Sequence, residues 1–513
     1  MGEIGRCGPA VGLSWKPRAA RRIAGAKLGS VNEPVVLPFW LAFVVVALAT
    51  WPVIEKLLLP ALRRFGRGRI NRVLEEASSR LRISVRPFQR TRRQVLIHRL
   101  LGDPKVLAAA ESYAAERKLP LPTVLAKIEG YAREIVPAFN AYMVFRISNW
   151  LARKVSRGLY RVRLGFVDTE ALARVPENAT VVFVMNHRSN MDYILASHIA
   201  ADQAALSYAV GEWARIWPLS PLIRSMGAYF VRRNSKDDLY RRVLECYIAM
   251  ATQAGVPQAV FPEGGLTRNG LLGPPRLGVI DYMLRGFRLD GERDLVFVPL
   301  GINYDRVLED RTLLRSIDPD ARPVNSFWTV WNTAGFVVNN LRLMVKSGWR
   351  RFGYACVNFG TPISVRAYCA KRGLDFQALP AAERKRAVAE LGAHLMAGVG
   401  RVVPVLPVPL VAEVILGRGK EGISELELKA DVNARMERLE AAGAHIYVPR
   451  ADRDYAVGVG LRMLTLRHLV GEADGLYSAL PSELTLLRYY ANSIAQFGRQ
   501  GEIRELPASL AVA

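Results

Sequence analysis

Residues 180–193 read Thr180-Val-Val-Phe-Val-Met-Asn-His187-Arg-Ser-Asn-Met-Asp192-Tyr. The first six residues are apolar or β-branched without alternation, which is typical of a strand that is buried on both faces in a parallel sheet. In α/β folds, the loops at the carboxyl ends of such strands usually carry the binding and catalytic groups. The stretch therefore predicts an α/β fold with His187 at the end of a central strand.

Within this stretch, His187 and Asp192 form a His-x4-Asp pair. Five residues of regular helix would turn Asp192 about 140° away from His187, so the side chains meet only if the chain turns before a helix begins. A paired carboxylate would then orient the imidazole as a base that activates a hydroxyl. The chain has six His, and the spacing alone fits a chance pairing as well as a catalytic one.

The composition indicates a folded and strongly basic protein, with 513 residues, 50% hydrophobic side chains and a net charge of +25. This charge suits nucleic acid, an anionic membrane, or acidic substrates and carrier proteins. Zinc-finger spacing, an aromatic RNA-binding signature and an isolated basic tail are all missing, so no nucleic-acid partner is expected. Four scattered Cys favour a reducing compartment. We expect neither a metal site nor a cofactor, because no metal-ligand spacing occurs.

Residues 35–54 carry no charged side chain, and their length is just sufficient to cross a bilayer as a helix. We predict a retained membrane anchor there, with a re-entrant or surface-lying hairpin as the alternative. The chain is more basic after this segment than before it, which places the following region in the cytosol. The same arginines would hold the adjoining region against anionic lipid.

The pattern of apolar residues divides the chain further. Short β-branched runs at 180–185, 258–261, 295–300 and 355–359 alternate with helical stretches such as 236–254, which predicts a mostly parallel sheet flanked by helices. The predicted organisation is a basic tail at 1–34, the anchor at 35–54, a helical basic membrane-proximal region at 55–160, the α/β domain at 161–400, and a helical region at 401–513.

Two further motifs follow predicted strands. Arg232, Arg233 and Lys236 come after an apolar run and suit a phosphate dianion, although such a charge run also fits a solvated turn. Residues 259–270 combine a strand with a glycine-rich loop whose N–H groups could approach a phosphate or an oxyanion. The loop lacks the P-loop spacing, so nucleotide hydrolysis is not inferred.

In chain order, His-x4-Asp, Phe-Val-Arg-Arg, Phe-Pro-Glu-Gly-Gly and Val-Pro-Leu-Gly resemble the four-block signature of the glycerolipid acyltransferase superfamily. The helical preamble, the Arg-Arg-Asn of the second block and the segment Val357-Asn-Phe-Gly-Thr-Pro362 are similar to the large membrane-associated bacterial glycerol-3-phosphate 1-O-acyltransferases. This resemblance implies that His187 is a general base and that Asp192 orients it. The base would deprotonate the 1-hydroxyl of glycerol 3-phosphate as that oxygen attacks acyl-CoA or an acyl carrier protein thioester.

The resemblance also implies a set of substrate-binding residues, with arginines on the phosphate and the Glu-Gly-Gly shaping the acceptor site. The set is Arg188, Ser189, Arg232, Arg233, Lys236, Glu263, Gly264, Gly265, Thr267 and Arg268. No acyl-enzyme is implied, so Ser189 need not be a nucleophile. The implied location is the bacterial inner membrane, with the catalytic domain facing the cytosol.

One position departs from the family pattern. Close relatives commonly have Arg-Ser-Arg after the Glu-Gly-Gly, whereas this chain has Leu266-Thr267-Arg268. Lys236 or Arg276 would then replace the missing cation, or the acceptor would be dihydroxyacetone phosphate or a lysophospholipid. A membrane lipid-binding protein that has lost turnover is the alternative from another class.

Overall fold

The chain is described here as a computed structural model, and the residues it describes are 87–138, 149–200, 207–210, 224, 227–232, 235–315, 352–419 and 421–498. The predicted tail at 1–34 and the predicted anchor at 35–54 lie outside these residues. Within the described ranges, no helix has both the length and the apolar character that crossing a bilayer requires.

The described residues form an eight-stranded sheet of order β1-β7-β6-β2-β5-β3-β4, with β8 beside β6. All neighbouring strands run parallel, except that β7 and β8 run antiparallel to β6. The sheet confirms the predicted α/β class with a mostly parallel arrangement. Its strands are β1 Arg161–Val167, β2 Thr180–Met185, β3 Ser207–Val210, β4 Tyr229–Phe230, β5 Gln258–Val260, β6 Leu295–Tyr304, β7 Tyr354–Phe359 and β8 Ile363–Ser364.

Helices precede, connect and follow these strands. Up to β7 they are α1 Pro87–Arg90, α2 Arg93–Leu101, α3 Pro104–Arg117, α4 Leu121–Ile135, α5 Asn149–Leu159, α6 Thr169–Ala173, α7 Met191–Ala200, α8 Asp238–Gln253, α9 Gly278–Arg285 and α10 Asp310–Arg315. After β8 they are α11 Val365–Arg372, α12 Ala381–Val402, α13 Pro407–Gly417, α14 Glu425–Ala441, α15 Arg453–Leu466 and α16 Leu484–Ala491.

Strand β6 is buried at every position, and its alternate residues enter two different hydrophobic clusters. Leu295 and Phe297 belong to the cluster that contains residues of α3, α8, α9 and α12. Val296 and Val298 belong to the cluster that contains residues of α13, α14, α15 and α16. Both faces of the sheet are therefore covered, which explains why β2 and β6 are apolar without alternation.

The region after residue 400 covers one of these faces. It was predicted as helical, and besides α13 to α16 it contains an antiparallel three-stranded sheet of order β10-β11-β9, formed by described residues. These strands are β9 Ile423–Ser424, β10 Val470–Ala473 and β11 Leu476–Ala479. Short 3-10 turns at Pro449–Ala451, Pro481–Glu483 and Asn492–Phe497 complete the region.

Strand β6 continues four residues beyond its predicted end at 300. Gly301 permits this, because a Cβ atom at that position would lie 2.1 Å from the carbonyl oxygen of Val402 at the end of α12. Asn303 is buried, and its amide donates to Pro404 O at 2.9 Å. The residues that interrupt the apolar run are thus accommodated by close packing and by a side-chain hydrogen bond, so the strand extends past the carboxyl end of β2.

Candidate active site

The candidate site begins where β2 ends. Met185 pairs with Leu300 at the last step of the β2–β6 ladder. Beyond it, the side chain of Asn186 accepts from Ile302 N–H and donates to Ile302 O, both at 2.8 Å. Asn186 thus extends the contact with β6 after the strand has ended, and it fixes the direction in which the following loop leaves the sheet.

The loop turns before α7 begins at Met191, which is the condition under which His187 and Asp192 can meet. Nδ1 of His187 lies 2.9 Å from Oδ2 of Asp192, and the two side chains are 2% and 0% exposed. Because the carboxylate oxygen accepts, Nδ1 carries the hydrogen of this bond, and Nε2 of the neutral imidazole keeps its lone pair. The pair has the geometry of a base held by an orienting carboxylate.

Asp192 is held by three further donors. Oδ2 accepts the backbone N–H groups of Arg188 at 2.7 Å and Ser189 at 3.0 Å. Oδ1 accepts the phenolic hydrogen of Tyr304 at 2.6 Å. Burial raises the pKa of Tyr304 well above its usual value, with the nearby Asp192 as the next cause, so the phenol stays protonated and remains a donor.

The glycine-rich loop after β5 holds the backbone of His187. The His187 N–H donates to Oε1 of Glu263 at 2.8 Å, and its carbonyl accepts from Thr267 N–H at 2.9 Å. The imidazole packs against the ring of Phe261 with 4.1 Å between ring centroids, and it meets Tyr193 edge-on at 5.3 Å. The loop after β2 and the loop after β5 therefore hold the imidazole in place together.

Glu263 also supports its own loop. Oε2 accepts the N–H of Gly273 at 2.9 Å, and burial raises the pKa of this carboxyl. Gly264 adopts a φ of +70°, and a Cβ atom there would lie 2.5 Å from Cδ of Arg276. Gly265 is half-buried, whereas Arg268 is exposed. The structure thus brings Glu263, Gly264 and Thr267 close to the His187 loop.

Arg188 and Ser189 are buried and engaged by protein groups. Nη2 of Arg188 donates to the carbonyl oxygen of Ser493 at 3.1 Å, and the Ser189 hydroxyl donates to Oε2 of Glu309 at 2.8 Å. Oε1 of Glu309 accepts from Asn190 N–H at 3.2 Å, and burial raises the pKa of this carboxyl. These contacts hold the loop that carries His187. The substrate-binding role of Arg188 and Ser189 remains a prediction.

The second predicted block lies against the amino-terminal helices. Nε and Nη2 of Arg232 donate to the two carboxylate oxygens of Glu134 in α4 at 2.9 and 2.6 Å. Arg233 lies outside the described residues. Lys236 is exposed and lines an open groove of about 1100 Å³ together with Lys105 and Arg117 of α3. The phosphate-binding role of Arg232, Arg233 and Lys236 remains a prediction.

The 3-10 turn Asn492–Phe497 contacts both active-site loops. Besides the bond from Arg188, the Ser493 hydroxyl oxygen lies 3.2 Å from Nδ2 of Asn303, which donates to it. The amide of Asn492 donates to Asn269 O in the glycine-rich loop at 2.9 Å. The carboxyl-terminal region therefore supports the site directly.

Sequence reasoning missed Tyr304 and Glu309. Tyr304 is the last residue of β6, and Glu309 lies five residues beyond the strand. Polar residues at the end of an apolar run mark a strand end, where functional groups are common. That signal was present in the sequence, but their contacts with Asp192 and Ser189 depend on β6 lying beside β2.

Two families match this chain. The family described as Acyltransferase matches residues 167–303, which include His187, Asp192, Glu263 and the first nine residues of β6. The family described as the glycerol-3-phosphate acyltransferase C-terminal region matches residues 340–497. Residues 167–303 are therefore similar to the acyltransferase superfamily. The superfamily match and the carboxyl-terminal match together confirm the resemblance that the four motifs predicted.

Curated relatives of this chain are named glycerol-3-phosphate acyltransferase. A glycerol-3-phosphate acyltransferase of Haemophilus ducreyi is 27% identical over 419 residues, which are 78% of this chain and 49% of the relative. One of Aeromonas hydrophila is 26% identical over 440 residues, 83% of this chain and 52% of the relative. The chain thus spans about half the length of the curated relatives it matches.

Among solved structures, a 1-acyl-sn-glycerophosphate acyltransferase from Thermotoga maritima is 16% identical, with a TM-score of 0.27. The alignment covers 48% of this chain and 80% of that one.

Proposed function

We propose that this protein transfers an acyl chain from a thioester to the 1-hydroxyl of glycerol 3-phosphate, giving lysophosphatidate. The observation that carries the proposal is the buried His187–Asp192 pair at 2.9 Å, because it has the geometry for activating a hydroxyl. The names of the relatives support the acceptor.

In the proposed reaction, Nε2 of His187 takes the proton of the acceptor hydroxyl as its oxygen attacks the thioester carbonyl. Asp192 stabilises the imidazolium that forms. The tetrahedral intermediate then breaks its carbon–sulfur bond, and the leaving thiolate receives the proton back from the imidazolium. The Ser189 hydroxyl donates to Glu309, which is consistent with direct transfer and with no serine-bound acyl group.

For the phosphate, we propose Arg268 as the first contact. It is an exposed cation on the loop whose Glu263 and Thr267 hold His187. Arg232 would reach a phosphate only by exchanging its bidentate contact with Glu134, so we assign it second place. Because Leu266 stands where close relatives commonly have an arginine, the alternative acceptors are dihydroxyacetone phosphate and a lysophospholipid.

We also propose that the reaction takes place at the cytosolic face of a bacterial inner membrane. The uncharged segment 35–54 and the net charge of +25 support this location, since a basic protein is attracted to anionic phospholipid. Acyl-CoA and acyl carrier protein are both anionic, and both remain candidate donors.

Acyl transfer to labelled glycerol 3-phosphate tests the function. With membranes carrying the full chain, we expect lysophosphatidate from one or both donors, and at least a hundredfold lower rate for His187→Ala, because general-base catalysis is worth that much. His98→Ala, which removes an exposed imidazole on α2, is the matched control and should retain the rate.

The other outcomes are equally informative. Product with dihydroxyacetone phosphate or a lysophospholipid alone would replace the acceptor. Equal rates for the wild type and His187→Ala would remove the proposed base. No product with any acceptor would favour the non-catalytic lipid-binding alternative.

A further inference from the structure

A groove of about 270 Å³ lies beside the candidate active site, between three segments of the chain. They are the loop after β5, the last part of α12 and the 3-10 turn Asn492–Phe497. Most of its wall is apolar, from Leu272, Pro274, Pro275, Met396, Ala397 and Phe497. This volume suits a narrow linear chain and is small for a nucleotide, since ligand pockets usually begin at about 300 Å³.

Gln496 lines the groove, and its side-chain amide, which lies beneath the groove surface, is left unsatisfied by the protein. Both Oε1 and Nε2 of Gln496 are buried, and neither has a hydrogen-bond partner among the residues that the structure describes. Buried polar atoms are normally satisfied, and leaving one without a partner costs roughly 1–3 kcal/mol. A side-chain amide presents one acceptor and one donor group, so it complements another amide.

A single cation also lines this groove. Arg401, in the last turn of α12, is half-buried and contributes the one charged side chain among the described lining residues. Arginine pairs with phosphate through parallel N–H donors. Apolar walls, an unpaired amide and one arginine therefore define a ligand with aliphatic, amide and phosphate parts.

The groove is joined to the candidate base through a single side chain. Gly273, which lines the groove, donates its N–H to Oε2 of Glu263, and Oε1 of the same carboxylate accepts the N–H of His187. Gly400 keeps the opposite wall close, since a Cβ atom there would lie 3.3 Å from Leu272. A chain lying in the groove is thus next to the loop that holds His187.

We propose that this groove binds the phosphopantetheine arm of the acyl donor. The arm has an aliphatic backbone, two amides and a terminal phosphate, and it is common to acyl-CoA and acyl carrier protein. The side chain of Gln496 turns into the groove and pairs with an amide of the arm, and Arg401 pairs with its phosphate. The inference rests on the proposed transfer from a thioester, and it adds where the donor lies.

The first test compares donors that carry the same acyl group on different thiols. Gln496→Leu should raise the KM of acyl-CoA about tenfold, the upper worth of one neutral hydrogen bond, and leave the KM of the S-ethyl thioester unchanged. Arg401→Gln should raise the KM of acyl-phosphopantetheine and leave that of acyl-pantetheine unchanged. Arg386→Gln, an exposed cation on the same helix, is the control and should change neither.

An equal effect on every donor, or no effect on any, would overturn the proposal. Ala397→Leu provides a second variant, because it fills the groove from α12 without removing a polar group. It should raise the KM of every donor that has the arm and spare the S-ethyl thioester. Chemical denaturation midpoints within the error of the wild type verify that each variant is folded.

Equilibrium dialysis with labelled 4′-phosphopantetheine tests the groove without turnover. Binding to the wild-type chain that is weakened by Gln496→Leu and by Arg401→Gln supports the site. If that binding occurs but no acyl transfer is found, the proposed function fails and the groove remains. If transfer occurs but 4′-phosphopantetheine neither binds nor competes with acyl-CoA, the groove assignment fails alone.

Discussion

At the scale of single residues, Tyr304 is the side chain that holds the second oxygen of Asp192, with 2.6 Å between the phenol and Oδ1. We expect Tyr304→Phe to lower kcat at least tenfold, because a hydrogen bond to a charged group contributes roughly 1.5–3 kcal/mol. KM for both substrates should stay within twofold, since the phenol is buried and holds the carboxylate. Steady-state kinetics measure both constants.

Tyr160→Phe is the matched control for this prediction. Tyr160 packs on the ring of Tyr304 with 5.2 Å between centroids, and its hydroxyl donates to Arg306 O at 2.8 Å, away from Asp192. The Tyr160→Phe variant also loses a phenolic oxygen from this pair of packed rings, and it should retain kcat. If both variants lose kcat to the same degree, the effect is one of packing and the positioning role is wrong.

The sequence predicted His187 and Asp192 because five positions of local chain bring them together. Tyr304 lies 112 positions after Asp192, and Glu309 lies 120 positions after Ser189. Contacts over such separations depend on the order of strands in the sheet, which the sequence of one strand does not contain. Residue types alone therefore predicted the contact between His187 and Asp192 and missed the residues that hold this pair.

At the scale of elements, the crossing of β6 and α12 depends on Gly301. A Cβ atom there would lie 2.1 Å from Val402 O, a backbone atom that moves only with the helix. We expect Gly301→Ala to reduce the free energy of unfolding by about 1–3 kcal/mol or more, as overpacking does. Urea denaturation measures it.

Gly130→Ala makes the same change where there is room. Gly130 lies within α4, and nothing lies within 4 Å of the added Cβ position. It should raise the free energy of unfolding by about 0.5–1 kcal/mol, because alanine loses less entropy in a helix. A stabilising effect of Gly301→Ala would contradict the close packing described for β6.

The elements themselves were well predicted where the apolar pattern is uninterrupted. Strands were expected at 180–185 and 295–300, and the structure has Thr180–Met185 and Leu295–Tyr304. The second strand was predicted too short because Gly301 and Asn303 resemble the end of a strand. Their accommodation by α12 and by Pro404 is a tertiary contact, so no local signal announces it.

At the scale of the whole molecule, Asp305 joins the central sheet to the carboxyl-terminal region. It is fully buried, and it accepts Tyr354 N–H from β7 at 2.8 Å and Val408 N–H from α13 at 3.2 Å. Burial raises its pKa to about 7, from a usual value of 3.8. Folding therefore favours the protonated form of this carboxyl.

The pH dependence of stability follows from that pKa. Between about pH 4 and pH 7 the unfolded chain releases this proton and the folded chain retains it, so the free energy of unfolding falls as pH rises and levels off above 7. From pH 5 to pH 8 we expect the wild type to lose on the order of 2 kcal/mol relative to Asp305→Asn. Guanidinium denaturation of both proteins at the two pH values measures this, and parallel losses would contradict it.

The position of the carboxyl-terminal region on the sheet could not be predicted from composition and periodicity. Its helices were predicted, yet their place over one face of the sheet was not, because apolar helix faces are alike whatever they cover. Val408 and Leu487 are buried in the same cluster as Val296 and Val298 of β6. The domain boundary that the sequence pattern predicts near residue 400 therefore remains a prediction.

The bond from Arg188 to Ser493 O spans 305 positions of chain. During synthesis, the ribosome has to release almost all of the described protein before the loop that carries His187 acquires this contact. While residue 493 is still in the exit tunnel, His187 and Asp192 are already synthesised, but their loop lacks the contact with Ser493. The loop that carries His187 therefore gains this support only after residue 493 has left the exit tunnel.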